Sequence, residues 1–237
     1  MNIKISLVTI ICILLILTSS LFGQGKKPFN QDKFDAAIDS LDSSIKNNPK
    51  NSNLWFKKGK LYLENELPEK AIECYDKAVA LRPGFYQAWN NRAIAYKKLG
   101  NLIETLVSYD SALAYKNDLP ALWLNRAYVQ YDLERYRTAA FSLKKCLSFD
   151  EKQPKLWYKR GMAFGRLEMY DSAVANLRMA NKYDRKMAKA WYFRGGFLPL
   201  IERYEEAKIC LDSALYYDPK LKDKITVLKE SIKGYLK

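Results

Sequence analysis

The sequence predicts an all-α fold, an α-solenoid of stacked antiparallel helix pairs, on three observations. Its tryptophans, Trp55, Trp89, Trp123, Trp157 and Trp191, follow one another at intervals of 34 residues. A period of that length holds two helices and two short turns. Small residues recur at fixed places within the period, and large apolar or aromatic residues recur at complementary places. A solenoid buries its apolar surface between neighbouring repeats, so a chain of 237 residues need not form one or two compact domains.

Let position 1 be the third residue before each tryptophan. Position 8 is then Gly59, Ala93, Ala127, Gly161 and Gly195; position 20 is Ala71, Thr105, Ala139, Ala173 and Ala207; position 27 is Ala78, Ala112, Cys146, Ala180 and Ala214. Helices approaching to an interaxial distance of about 8–10 Å require small residues of this kind at the contact. Position 24 is Tyr75, Tyr109, Leu143, Leu177 and Leu211, and position 30 is Leu81, Tyr115, Phe149, Tyr183 and Tyr217. Position 17 is Leu102, Tyr136, Tyr170 and Tyr204, with Pro68 in the first repeat. Positions 17, 20, 24 and 27 step by three and four and so share one helical face. Pro83 and Pro219 stand where one helix must stop, and Pro68, Pro120 and Pro154 lie in turns.

The segments WFKKGKLY (55–62), WNNRAIAY (89–96), WLNRAYVQ (123–130), WYKRGMAF (157–164) and WYFRGGFL (191–198), with their downstream alanines and prolines, resemble the tetratricopeptide repeat. The resemblance covers residues 52–221 and implies a right-handed superhelix of two-helix units at 52–85, 86–119, 120–153, 154–187 and 188–221. Arg92, Arg126, Arg160 and Arg194 occupy position 7, where that family often has leucine. Their aliphatic stems are expected to pack while the charged ends reach water. Phe34, Ala37, Leu41, Ser44 and Pro49 continue the register upstream, so 31–51 is expected to be a partial repeat whose helix, 31–47, caps the stack. Leu221, Ile225, Leu228, Ile232 and Leu236 predict a second capping helix within 222–237.

Residues 1–23 read as a secretory signal: a short charged start, the apolar run LVTIICILLILT and small residues before Lys26. Cleavage is expected near Gly23, or at Ser20, followed by a linker at 24–30. The alternative is an uncleaved membrane anchor over residues 5–22. Cys12 follows Ile11 and comes too early in the apolar run for lipid modification. Cys74, Cys146 and Cys210 then remain, an odd number, far apart along an array, and are expected to be buried thiols and not disulfides.

The chain contains no histidine, which removes Cys/His zinc sites and Ser–His–Asp or Cys–His catalysis. Asp42, Asp76, Asp110 and Asp212 share position 25 and are expected to have a structural or solubilising role. Gly195–Gly196 lies within a helix pattern and not in a phosphate-binding loop. No catalytic residue, metal ligand or cofactor is therefore expected, and the chain is read as a non-enzyme. Its formal net charge of +14 could indicate nucleic acid, but an exported address and arginines confined to one register argue against it. Anionic lipid, surface polysaccharide or an acidic polypeptide remain as partners for the basic charge.

The resemblance also implies a binding groove lined by the first helix of each pair at positions 2, 5, 6, 9 and 12. The residues chosen from those positions are Asn90, Asn91, Asn125, Tyr128, Lys155, Tyr158, Lys159, Lys189 and Tyr192, with Tyr131 and Phe193 among their neighbours. Amides can satisfy a peptide backbone, and tyrosines supply area with few rotors to freeze. Asn125, Lys155 and Lys159 resemble the second half of the family's clamp for a terminal carboxylate. Asn90 and Ile94 depart from its first half. The expected function is an adaptor that binds a protein or peptide segment, with acidic segments favoured, in an envelope or secreted assembly. The alternatives are a structural, self-assembling envelope component and, more remotely, an enzyme accessory subunit.

Overall fold

The computed structural model describes residues 31–236 and divides into two units, one ending at Pro49 and one beginning at Lys50. The expected signal, its cleavage site, the linker and Cys12 lie outside the described residues. The first unit contributes one described helix, α1 (Gln31–Asn47), with Asp32 in its first turn and Lys46 in its last. Both charges oppose the partial charges of the helix ends.

The second unit is built of helix pairs: α2 (Ser52–Glu64) with α3 (Pro68–Leu81), α4 (Tyr86–Lys98) with α5 (Leu102–Tyr115), and α6 (Pro120–Asp132) with α7 (Tyr136–Leu147). They continue as α8 (Pro154–Arg166) with α9 (Tyr170–Tyr183) and α10 (Ala188–Phe197) with α11 (Tyr204–Tyr217), and α12 (Lys222–Ile232) follows. The described residues contain no strand. This unit is the all-α solenoid of stacked helix pairs that the sequence predicts.

Each pair is punctuated in the same way. Pro68, Pro120 and Pro154 open their helices at the first turn, where a missing N–H costs nothing. Each first helix ends in a six-residue cap in which the position-16 N–H donates to the position-11 carbonyl, as from Leu67 to Tyr62 at 3.0 Å and from Met169 to Phe164 at 3.0 Å. That cap needs a left-handed residue at position 15. Gly100 supplies it at φ 73°, whereas Glu66, Glu134, Glu168 and Glu202 adopt φ between 55° and 60°. A side chain there costs about 1 kcal/mol that glycine does not.

The recurrent tryptophans act as anchors between repeats. The indole N–H of Trp89, Trp123, Trp157 and Trp191 donates to the carbonyl six residues earlier, in the preceding inter-repeat turn: Pro83, Asn117, Glu151 and Arg185, at 2.7–2.8 Å. The ring packs while its polar edge ties down the turn. The small and large positions also meet as expected. All residues at positions 20 and 24 are buried. A Cβ added to Gly161 would stand 2.9 Å from Leu177 Cγ and 3.1 Å from the Ala173 carbonyl oxygen, so α8 and α9 touch nearly backbone to backbone. Cys74, Cys146 and Cys210 are buried thiols.

Two features depart from the sequence reading. The position-7 arginines do not send their charged ends into water. Arg92 Nε donates to Asp76 (2.6 Å) on the preceding repeat's second helix, and its Nη1 donates to Ser108 (2.8 Å) on its own repeat's second helix. Arg126 repeats this with Asp110 (2.5 Å) and Ser142 (2.8 Å). Each arginine thus staples two second helices through a first helix, and its side chain is largely buried, 14% and 19% exposed. The stem packs, as expected, but it leads to fixed acceptors. Secondly, Pro199 ends α10 early, because it has no N–H to continue the helix; Leu198–Ile201 is a 3₁₀ turn.

At the C-terminal end, Ile225 and Ile232 of α12 are buried, and Leu221, Leu228 and Leu236 pack against the same cluster as Leu211 and Ala207. Lys229 of α12 donates to Asp212, so the final position-25 aspartate also receives a cation from the next element.

Burial has one consequence for pH. Desolvation pushes the phenols of Tyr109 and Tyr131 up to about 12, from an ordinary value of 10.0. The unfolded chain therefore releases these protons first, so stability is full below about pH 10 and falls as pH rises towards 12. Urea midpoints should decline across that window and decline less in Tyr109→Phe. A midpoint constant to pH 12 would contradict the burial of these phenols.

Candidate functional site

The first helices α6, α8 and α10 carry their groove-register residues side by side. Tyr128 and Tyr131 lie one turn apart on α6. The Lys159 ammonium, from α8, sits 4.7 Å from the Tyr128 ring centroid and 5.6 Å from that of Tyr131. A cation over a ring face is attracted by the ring's quadrupole. On the next interval, the Tyr158 ring lies 6.0 Å from Phe193, which lies 5.2 Å from Tyr192 and 6.3 Å from Phe197. Tyr170 extends the band to the start of α9, 5.8 Å from Phe197. Tyr136 closes its other end, edge-on to Tyr131 at 5.1 Å.

This band brings together Tyr128, Lys159, Tyr158 and Tyr192 from the sequence-selected set. Burial raises the Tyr158 phenol above its ordinary range, as it does that of Tyr131, so both rings are neutral hydroxyl-bearing surfaces at physiological pH. Lys155 and Lys189 are exposed, and among the described residues neither forms an ion pair. Asn125 is half-buried beside the band, with no side-chain hydrogen bond among the described residues. Asn90 and Asn91 stand apart on α4, where the Asn90 amide donates to Asn91 at 3.1 Å. Lys155 and Lys159, a turn apart, do not form a matched pair, because Lys159 is drawn over the tyrosines.

Sequence reasoning missed Phe197, Tyr170 and Tyr136. The signal for Phe197 was present in Gly165, which occupies position 12 where Lys97 and Tyr131 stand in other repeats. A Cβ on Gly165 would overlap the Phe197 ring, so only the bare backbone admits that ring to the band. No group of His, Cys, Asp and Glu side chains among the described residues could hold a metal ion. No described helix is long and apolar enough to cross a membrane.

The repeat geometry agrees with the sequence comparisons. Tetratricopeptide repeat profiles match residues 23–84, 74–106, 120–153 and 188–221. The chain belongs to the tetratricopeptide repeat family. Among the curated proteins no sequence matches it. Solved structures of the same fold include YrrB, described as a TPR protein with an unusual peptide-binding site, at 21% identity and a TM-score of 0.66, covering 77% of this chain and 94% of YrrB. MamA is similar at 13% identity and TM-score 0.62, over 73% of this chain and 94% of MamA. A fragment of MamA from Desulfovibrio magneticus aligns at 14% identity and TM-score 0.58, over 71% and 96%. These likenesses establish the shared fold. As a tetratricopeptide repeat protein, the chain is a non-catalytic protein-interaction module.

Proposed function

We propose that the chain binds an extended polypeptide segment along the first-helix face of its third to fifth repeats, as an adaptor within an envelope or secreted assembly. The observation that carries this reading is the aromatic band from Tyr131 to Phe197, with Lys159 held over two of its rings. Rings of this kind bind a peptide at little entropic cost, and the Asn125 amide beside them offers both a donor and an acceptor to a backbone. Lys155 and Lys189 favour an acidic segment. The peptide-binding site named for YrrB supports the same kind of partner. Export rests on the apolar run in residues 1–23; N-terminal sequencing of the exported protein tests it, and a chain beginning at Met1 would remove cleavage from the proposal.

The groove is tested by selecting peptides on the full chain and measuring them by calorimetry against point variants. Tyr158→Ala should weaken binding about tenfold, as removal of a central ring does. Lys155→Ala should weaken an acidic peptide more than its neutralised version, and added salt should narrow the difference. Equal affinities for wild type and both variants would place recognition on another face. A self-assembling structural role is the second reading, carried by Ile209 and Tyr216, which stand 62% and 80% exposed on α11. Concentration-dependent light scattering that disappears in Tyr216→Ser would favour that reading.

A further inference from the structure

The arginine staples change character along the array. Arg92 and Arg126 place Nε against the position-25 aspartate of the repeat before. The third repeat has Lys144 at position 25, and Arg160 Nε turns to the Ala140 carbonyl at 3.3 Å while Nη1 donates to Asn176 at 3.0 Å. The fourth repeat has Arg178 there, and position 23 of the fifth is Cys210, where the second, third and fourth repeats have Ser108, Ser142 and Asn176. Arg194 thus loses both customary acceptors. Its Nε is buried with no hydrogen-bond partner, in a side chain only 11% exposed.

Like charges now face one another at the α9–α10 junction. Glu206 is the one carboxylate shared there, 3.5 Å from Arg194 and 3.7 Å from Arg178, and it also accepts from Arg203. Beside these groups lies a cleft of about 380 Å³ lined by Arg178, Asn181, Lys182, Arg185, Trp191 and Arg194. Four cations border it, and none of the lining residues is acidic. A buried guanidinium N–H without an acceptor is costly, and an anion would supply oxygens beyond the single Glu206 carboxylate that Arg178 and Arg194 share. Planar guanidinium forks match tetrahedral oxyanions, and the excess positive charge suits a dianion better than a lone carboxylate.

We propose that this cleft binds a phosphate-type oxyanion, held by Arg178 and Arg194 with Lys182 and Arg185 at its rim. The site lies at the Trp191 edge of the fourth and fifth repeats, is distinct from the aromatic band, and does not depend on the peptide-binding reading. The anion occupies the place in the register that Asp76 and Asp110 fill with a carboxylate.

The test is calorimetric titration of the full chain with inorganic phosphate, with phosphoserine and with acetate at constant ionic strength. Phosphate should bind saturably, with acetate at least tenfold weaker. Phosphoserine binding comparably identifies a monoester as the source, and phosphoserine binding tenfold weaker identifies the free ion. Arg178→Asp restores the position-25 aspartate that Asp76 supplies to Arg92. It should keep the helical spectrum and lower phosphate affinity at least tenfold. If that variant fails to fold, the rim variant Lys182→Gln/Arg185→Gln carries the same expectation. Absence of saturable phosphate binding to wild type, or affinity unchanged in the folded variant, would overturn the proposal.

Discussion

Ala173→Trp is expected to lower the unfolding free energy by about 3 kcal/mol, the upper end for overpacking a filled core. Ala173 is fully buried at the α8–α9 contact. Its carbonyl oxygen lies only 3.1 Å from where a Cβ on Gly161 would stand, so the helices cannot admit an indole without separating. In a repeat array each unit is stabilised mainly by its neighbours, so the fourth repeat should open before the rest. Denaturant unfolding should therefore show a lower midpoint and a broader transition, with early loss of hydrogen-exchange protection in α8 and α9. A midpoint within error of wild type would mean that the register assigned to position 20 is wrong.

Arg126→Met has the second-largest expected effect, a loss of about 2 kcal/mol, because hydrogen bonds to charged groups contribute about 1.5–3 kcal/mol. Methionine keeps the packing of the stem and removes the ties to Asp110 and Ser142. Ser142 is fully buried, with the buried Gln130 amide 2.7 Å away, so their remaining hydrogen-bonding capacity would go unmet. Asp110 is half-exposed, so solvent screening limits its share of the loss, and that share should shrink in high salt. Arg194→Met should cost less than half as much, since Arg194 lacks both customary acceptors and its Nε has no partner. Thermal melts of the two variants decide the matter; equal losses would show that the arginines stabilise through their stems alone.

The helix pairs were legible because their signals are local and periodic. Trp123 or Ala139 means little alone, but each recurs with its neighbours at one spacing, and periodic burial leaves a trace at every copy. The left-handed turns were not legible. Glu66, Glu134, Glu168 and Glu202 stand where a cap would ordinarily suggest glycine, and only Gly100 shows the requirement in its residue type. The aromatic band was legible in part. Tyr128, Tyr158 and Tyr192 fall on groove positions, whereas Phe197 reaches the band only because Gly165, a repeat earlier, lacks a side chain.

The amino-acid sequence by itself determined the repeat length, the pairing of helices, the small-against-large core and the absence of histidine chemistry, since each follows from residue type and spacing along one chain. What the tertiary structure alone decided is where the charges go. Arg92 and Arg194 occupy the same register and would be read alike, yet one is paired with Asp76 of the repeat before and the other shares Glu206 with Arg178 across the junction. An ion pair depends on which residues a neighbouring repeat brings within a few ångströms, and on whether the space between them excludes water. That information resides in the stacking of helices, not in any one repeat.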